Sequence, residues 1–136
     1  MGRPRVLLAE DNAVMAAELR ALLETELDVV ATVADGIALI EAADAVRPDV
    51  IVADIAMPRC SGIDATIELQ RRHPGTPVVL VTIHDDVALA ERGRAVGALG
   101  HVLKVAAARD LVPAVRAALR SERYVSSALR ARRSGH

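Results

Sequence analysis

Five short runs, more continuously apolar than alternating and separated by longer stretches with helical periodicity, constrain this chain more than any other feature. The runs are Val6–Ala9, Val29–Val33, Val50–Ala53, Val78–Thr82 and Leu99–Leu103. A strand with one wet face alternates apolar and polar residues, so a continuous apolar run marks a strand covered on both faces. Between the runs, Met15, Leu19, Leu22 and Leu23, and later Leu111, Val115, Ala118 and Leu119, trace the i, i+4, i+7, i+8 stripe of an amphipathic helix. Asp35-Gly36 has the composition of a hairpin turn, but Ile37, Ile40, Glu41 and Ala45 follow at helical spacing, which makes Asp35 an N-cap. "HPGTP", residues 73–77, closes one helix and launches the next strand. After residue 121 the pattern thins into "SERYVSSALRARRSGH", read as a linker or a fraying last helix. Five strands alternating with five helices predict a doubly wound α/β domain: a parallel sheet with right-handed crossovers and helices on both faces.

Composition narrows the function classes. The chain is 52% apolar yet has no Phe or Trp and only Tyr124, so its core is built from Ala, Val, Leu and Ile, and base stacking on aromatic platforms is excluded. A net charge of -1 favours neither nucleic acid nor membrane. Residues 116–136 do carry six arginines against Glu122, read as a solvated helix end and a basic terminus. Cys60 is the lone cysteine, which rules out an internal disulfide and suits a reducing compartment. The apolar run in "MGRPRVLLAEDN" is too short for a signal peptide, and none approaches the roughly 20 residues that span a bilayer. The expectation is a soluble cytoplasmic protein with no membrane partner.

In a doubly wound sheet the functional crevice lies beyond the carboxyl ends of the strands. There stand Glu10 and Asp11 after the first strand, Asp54 after the third, Thr82 closing the fourth and Lys104 after the fifth. Asp35, after the second strand, falls away from the set if that strand is at an edge. Three neighbouring carboxylates repel one another and call for a counter-charge. Oxygen ligands of this kind suit Mg²⁺. A carboxylate facing the open position can then attack a phosphoryl group to form an aspartyl phosphate, whose new oxygens need donors such as a threonine hydroxyl and a lysine ammonium. Lys104 is the only lysine in a chain with sixteen arginines. A compact ammonium on a flexible stem can meet a carboxylate at rest and a phosphoryl oxygen after transfer, where a flat guanidinium fork cannot.

Glu10-Asp11, Asp54 followed by Met57-Pro58 and Gly62, then Thr82, and Lys104 in "GHVLK" resemble the receiver domain of bacterial two-component response regulators, over about residues 4–121. The resemblance implies a flavodoxin-like strand order 2-1-3-4-5. It also implies that Asp54 accepts phosphate from a histidine kinase, while Glu10, Asp11, Asp54 and the backbone carbonyl of Ala56 hold Mg²⁺. Thr82 and Lys104 would bind the phosphoryl group, with Thr82 and position 101 acting as the switch. No enzymatic role follows beyond self-phosphorylation and autodephosphorylation, and a homodimer on phosphorylation is implied.

"RPDVIVADIAMP", "RRHPGTPVVLVT" and "RSERYVSS" are similar to regulators of the NarL/FixJ type, in which such a linker leads into a helix-turn-helix DNA-binding domain. The expected division is a receiver over 1–121 and a basic tail or linker over 122–136, too short for an output domain of ordinary size. Two readings follow: a stand-alone receiver, or the regulatory N-terminal part of a transcriptional regulator that reaches DNA only through a domain absent from this chain. A small Mg²⁺-dependent phosphatase using Asp54 as nucleophile is a third, disfavoured because such enzymes carry a second Asp two residues on, where this chain has Ala56.

Several positions depart from the family pattern. Ile83 follows Thr82 where a small residue is usual, and is expected to crowd the phosphoryl site and slow phosphate exchange. His101 replaces an aromatic switch residue and is read as a half-exposed spacer, with pH sensitivity as the sharper alternative. Val105 stands where Pro or Asp is frequent, and Ala56 and His84 occupy positions that tune dephosphorylation. His73, His84 and His136 lack zinc-site spacing, Cys60 has no neighbouring base, and "RGRAVGALG" matches neither a dinucleotide nor a Walker glycine pattern. Asp11 or Asn12 caps the first helix.

Overall fold

A computed structural model describes residues 2–126. The strands are β1 (Arg5–Ala9), β2 (Asp28–Val33), β3 (Val50–Asp54), β4 (Val78–Thr82), β5 (Gly100–Leu103) and β6 (Tyr124–Val125). The helices are α1 (Ala13–Glu24), α2 (Gly36–Val46), α3 (Gly62–Arg72), α4 (Val87–Ala95) and α5 (Ala107–Leu119), with a 3₁₀ turn at Lys104–Ala106. All strands are parallel in the order β2-β1-β3-β4-β5-β6, so the first five follow the expected 2-1-3-4-5 arrangement.

The continuous apolar runs arise because consecutive residues feed two different cores. Val6, Leu8, Val52, Val79, Val81 and Val102 face α1 and α5, where Leu19, Leu23, Leu111 and Val115 cover them. Leu7, Ala9, Ile51, Ala53 and Leu80 face the opposite layer, closed by Leu39 and Ala43 of α2 and Ile63 and Leu69 of α3. Each such fully buried aliphatic side chain contributes roughly 1.5–3 kcal/mol. By contrast α4 buries only Gly93, so it is the least anchored helix.

Helix starts are set by short polar caps. The Asn12 side chain accepts from the Met15 amide at 2.9 Å and that of Asp35 from Ala38 at 2.8 Å, while Ser61 and Asp86 cap α3 and α4. Of the two candidates at the first helix, Asn12 takes the cap, which leaves the Asp11 carboxylate for the sheet rim.

The sixth strand corrects the reading of the segment after residue 121. Ser121 adopts a left-handed φ of 60°, the chain reverses, and Tyr124 and Val125 pair with Gly100 and His101. The Tyr124 and Ser126 amides donate to the carbonyls of Leu99 and His101, each at 3.0 Å. Two paired residues leave no periodicity to read; the strand exists because the edge of β5 offers unsatisfied backbone groups. The rest of the segment, including Arg130, Arg132, Arg133 and His136, lies outside the described residues.

Among the described residues, no helix is long and apolar enough to cross a membrane.

Candidate functional site

The carboxyl ends of β1, β3, β4 and β5 open on a crevice of about 430 Å³ whose lining includes Glu10, Asp11, Asp54, Thr82, Ile83 and Lys104. Parallel pairing in register brings them to one rim, with Ala53 beside Ala9 and Asp54 beside Val81. Ligand oxygens of Glu10, Asp11 and Asp54 all lie within 4.8 Å of one another. Glu10 and Asp54 are buried, whereas Asp11 is exposed.

Lys104 reaches into this acidic group. Its Nζ sits 2.5 Å from Glu10 Oε1 and 3.0 Å from Asp54 Oδ2, with 8% of its side chain exposed. The remaining carboxylate oxygens are used by local backbone: Asn12 N–H donates to Glu10 Oε2 at 3.1 Å, and Ala56 N–H donates to Asp54 Oδ1 at 3.2 Å. Thr82 is buried, and its Oγ1 accepts from the His84 amide at 3.0 Å, which fixes the turn after β4 and leaves the hydroxyl proton available to donate.

The local electrostatics follow from burial and from these contacts. Burial pushes the Glu10 carboxyl above the usual carboxylate range, the Asp54 charge adds to that, and the Lys104 and Asn12 hydrogen bonds offset part of it. For Lys104, burial acts to lower the pKa, but Glu10 and Asp54 together outweigh it and hold the ammonium above its ordinary value. One ammonium therefore faces three carboxylates, which leaves the crevice short of positive charge. The donor set is oxygen only, two buried carboxylates and one exposed carboxylate, and it fits a hard divalent cation such as Mg²⁺.

Glycines bring the helices up to this rim. A Cβ on Gly62, at the start of α3, would stand 2.3 Å from the Asp54 carbonyl oxygen, and one on Gly36, at the start of α2, 2.2 Å from that of Cys60. Gly62 N–H in turn donates to the Ile55 carbonyl at 2.8 Å. The end of β3 is thus clamped by α3, a role that the position of Gly62 in the motif did not reveal.

Ile83 lines the crevice mouth with 71% exposure, so it stands where crowding was expected. Val105 is also on the surface, 93% exposed. His101 does not join the crevice and is not a half-exposed spacer: it is 3% exposed on β5, under α4, where a Cβ on Gly93 would lie 3.6 Å from its Nδ1. Among the described residues neither ring nitrogen has a hydrogen-bond partner. Burial, aided by the nearby Arg123 charge and opposed by Asp86, pushes the imidazole down to about 4. The ring is therefore neutral at neutral pH, and sensitivity around pH 6–7 does not arise from it in the folded state. The reading as a spacer failed because coverage of β5 depends on α4 and β6, which lie elsewhere in the sequence.

Comparison with known proteins agrees with this geometry. Residues 6–116 match the response regulator receiver domain. A transcriptional regulatory protein of Bacillus subtilis, YxjL, is 33% identical over 97% of this chain and 66% of its own length; PdtaR of Mycobacterium tuberculosis is 34% identical over 90% of this chain and 60% of its own. The chain thus spans somewhat under two-thirds of the length of these relatives. Among solved structures, a LuxR-family two-component response regulator from Aurantimonas sp. SI85-9A1 superposes with a TM-score of 0.92 at 26% identity, covering 99% of this chain and all of the other. The receiver domain of the NarL response regulator from Mycobacterium tuberculosis gives 0.84 at 26% identity, over 90% of this chain and all of that one. Fold, rim and relatives agree, and the chain belongs to the response regulator receiver domain family, with homologues among the NarL/LuxR regulators.

Proposed function

We propose that this receiver accepts a phosphoryl group on Asp54 and reports the event through the far end of its sheet. Receivers are signalling modules rather than enzymes in the usual sense. The observation that carries the reading is the placement of Lys104 between Glu10 and Asp54, a buried ammonium already next to the carboxylate that would be modified. Glu10, Asp11, Asp54 and the Ala56 carbonyl would hold Mg²⁺, which when bound supplies positive charge opposite the phosphoryl oxygens. A carboxylate oxygen of Asp54 forms the new bond to phosphorus as the nitrogen–phosphorus bond of a phosphohistidine donor breaks. Lys104 then gives its ammonium to one phosphoryl oxygen and Thr82 its hydroxyl proton to another. In autodephosphorylation a water oxygen bonds to phosphorus as the bond from Asp54 breaks, which releases inorganic phosphate and restores the carboxylate.

The proposed donor is a histidine kinase and the proposed setting is the cytoplasm. Residues 1–121 act as the receiver, and 122–136 as a basic linker whose first residues dock as β6. Incubation with acetyl phosphate and Mg²⁺ should add a single phosphate to the intact mass, absent in Asp54→Ala and abolished by chelation. Unmodified wild type under the same conditions would overturn the assignment.

A second reading rests on the relatives, which are named as transcriptional regulatory proteins and are longer than this chain. In it the receiver works inside a regulator that binds DNA through a helix-turn-helix domain and dimerises on phosphorylation. An in-frame helix-turn-helix downstream of residue 136 would support this reading, and a stop codon at that point would remove it.

A further inference from the structure

The segment leaving α5 is tied to the backbone next to Lys104 by a buried polar network. β6 is only two residues long, and such a strand cannot hold itself on a sheet edge by pairing alone. Side chains reinforce it: Leu103 N–H donates to Ser126 Oγ at 3.0 Å, and Tyr124 Oη donates to Asp110 Oδ1 at 2.8 Å. Ser126 is fully buried and Asp110 nearly so. A buried serine and a buried carboxylate add nothing to apolar packing, and each costs free energy unless satisfied. Burial acts to raise the Asp110 pKa, but Arg109, Tyr124 and Ser126 together hold it below the ordinary value, so the carboxylate is a charged hub.

The place where this network meets the sheet matters. Leu103 immediately precedes Lys104, and Lys104 opens the 3₁₀ turn that leads into α5. Two adjacent residues at the end of β5 are therefore each tied across the fold, Leu103 through its amide to Ser126 Oγ and Lys104 through its ammonium to Glu10 and Asp54. We propose that Tyr124, Ser126 and Asp110 form a latch that closes the chain after α5 onto β5 while Lys104 is at rest, and that loading of the phosphoryl site opens it. The inference rests on the phospho-acceptor reading of Asp54. A phosphoryl oxygen lies farther out than the carboxylate it is built on, so an ammonium that follows it gives up its 2.5 Å contact with Glu10 and frees the 3₁₀ turn at Lys104–Ala106, directly after the residue whose amide Ser126 holds. The outcome is release of the segment through which any following part of a regulator would be connected.

Coupling of this kind is reciprocal, so weakening the latch must favour loading by the same factor. The test is hydrogen exchange on the full chain with and without Mg²⁺ and beryllofluoride, a phosphoryl mimic, together with mimic affinity for wild type, Ser126→Ala and Tyr124→Phe. Loading should speed exchange of the Tyr124 and Ser126 amides about tenfold or more, and both variants should bind the mimic about three- to tenfold more tightly. Tyr124→Phe removes only the hydroxyl at the Asp110 end, so it guards against Ser126→Ala acting through the fold of β5. Wild type that binds the mimic through Asp54 with unchanged exchange at these amides overturns the latch alone, as do variants with wild-type affinity. Wild type that shows no Asp54-dependent binding overturns the phospho-acceptor reading and the latch together.

Discussion

The ammonium of Lys104 lies closer to Glu10, at 2.5 Å, than to Asp54, at 3.0 Å. The lone lysine is thus anchored first to a carboxylate on β1 and shared with one on β3, and both carboxylates are buried. Its approach suits a slim cation on a long stem rather than a flat guanidinium fork of fixed geometry. Lys104→Arg should therefore leave phosphate uptake from acetyl phosphate within a few-fold of wild type while sharply reducing the change in amide exchange on β5 and β6 that follows loading. Equal responses from the two proteins would show that charge alone suffices at this position.

Gly62 is predicted to be the most sensitive small residue near the site. A methyl group there meets backbone at 2.3 Å rather than the end of a flexible side chain, so either α3 or the end of β3 must shift. Gly62→Ala should cost about 1–3 kcal/mol by overpacking. Because the displaced atom is the Asp54 carbonyl oxygen, Mg²⁺ affinity should fall as well. Urea unfolding and a Mg²⁺ titration on the same variant check the two effects separately.

His101 gives the stability a defined pH dependence. Its folded pKa of about 4 lies below the ordinary 6.5, so the unfolded chain binds a proton that the folded chain refuses. No penalty exists above pH 6.5; it grows as pH falls toward 4 and is then fully developed. The loss is about 3 kcal/mol across that window. His101→Phe should remove this part of the slope, seen as a smaller shift of the urea midpoint between pH 7 and pH 4.5. A variant with the wild-type slope would place the proton uptake on another group.

Ile83 is exposed at the crevice mouth, so its removal tests access without disturbing the core. Ile83→Ala should change stability by no more than about 0.5 kcal/mol. The rate of phosphorylation by acetyl phosphate should rise several-fold, and that of dephosphorylation with it, since both donor and water enter past the same side chain. Unchanged rates would mean that the isoleucine lies outside their path.

Much of this was legible because it is written in local pattern. The apolar runs identified five strands to within a residue, although β2, at the sheet edge, is only partly buried rather than covered on both faces. Glu10, Asp11, Asp54, Thr82 and Lys104 could be picked out because parallel strands put all their carboxyl ends on one rim, whatever the details of packing. Asp35 as an N-cap was equally local: its side chain meets an amide three residues away.

Contacts across the chain were not legible in that way. Whether His101 is covered depends on Gly93 of α4, and nothing in "GHVL" records how closely that helix approaches. Ser126 stands 23 residues from the amide it accepts from, and Lys104 50 residues from Asp54. By itself, the amino-acid sequence determined the strand–helix alternation, the covered sheet and the set of charged residues at its rim, because burial pattern and parallel pairing act on every residue in turn. Only the tertiary structure decided which carboxylate the lysine meets first, that Asn12 rather than Asp11 caps α1, and that Tyr124–Ser126 closes on β5. The lysine's carboxylates lie 50 or more residues away and the Ser126 contact spans 23, so these partners meet only when the elements pack.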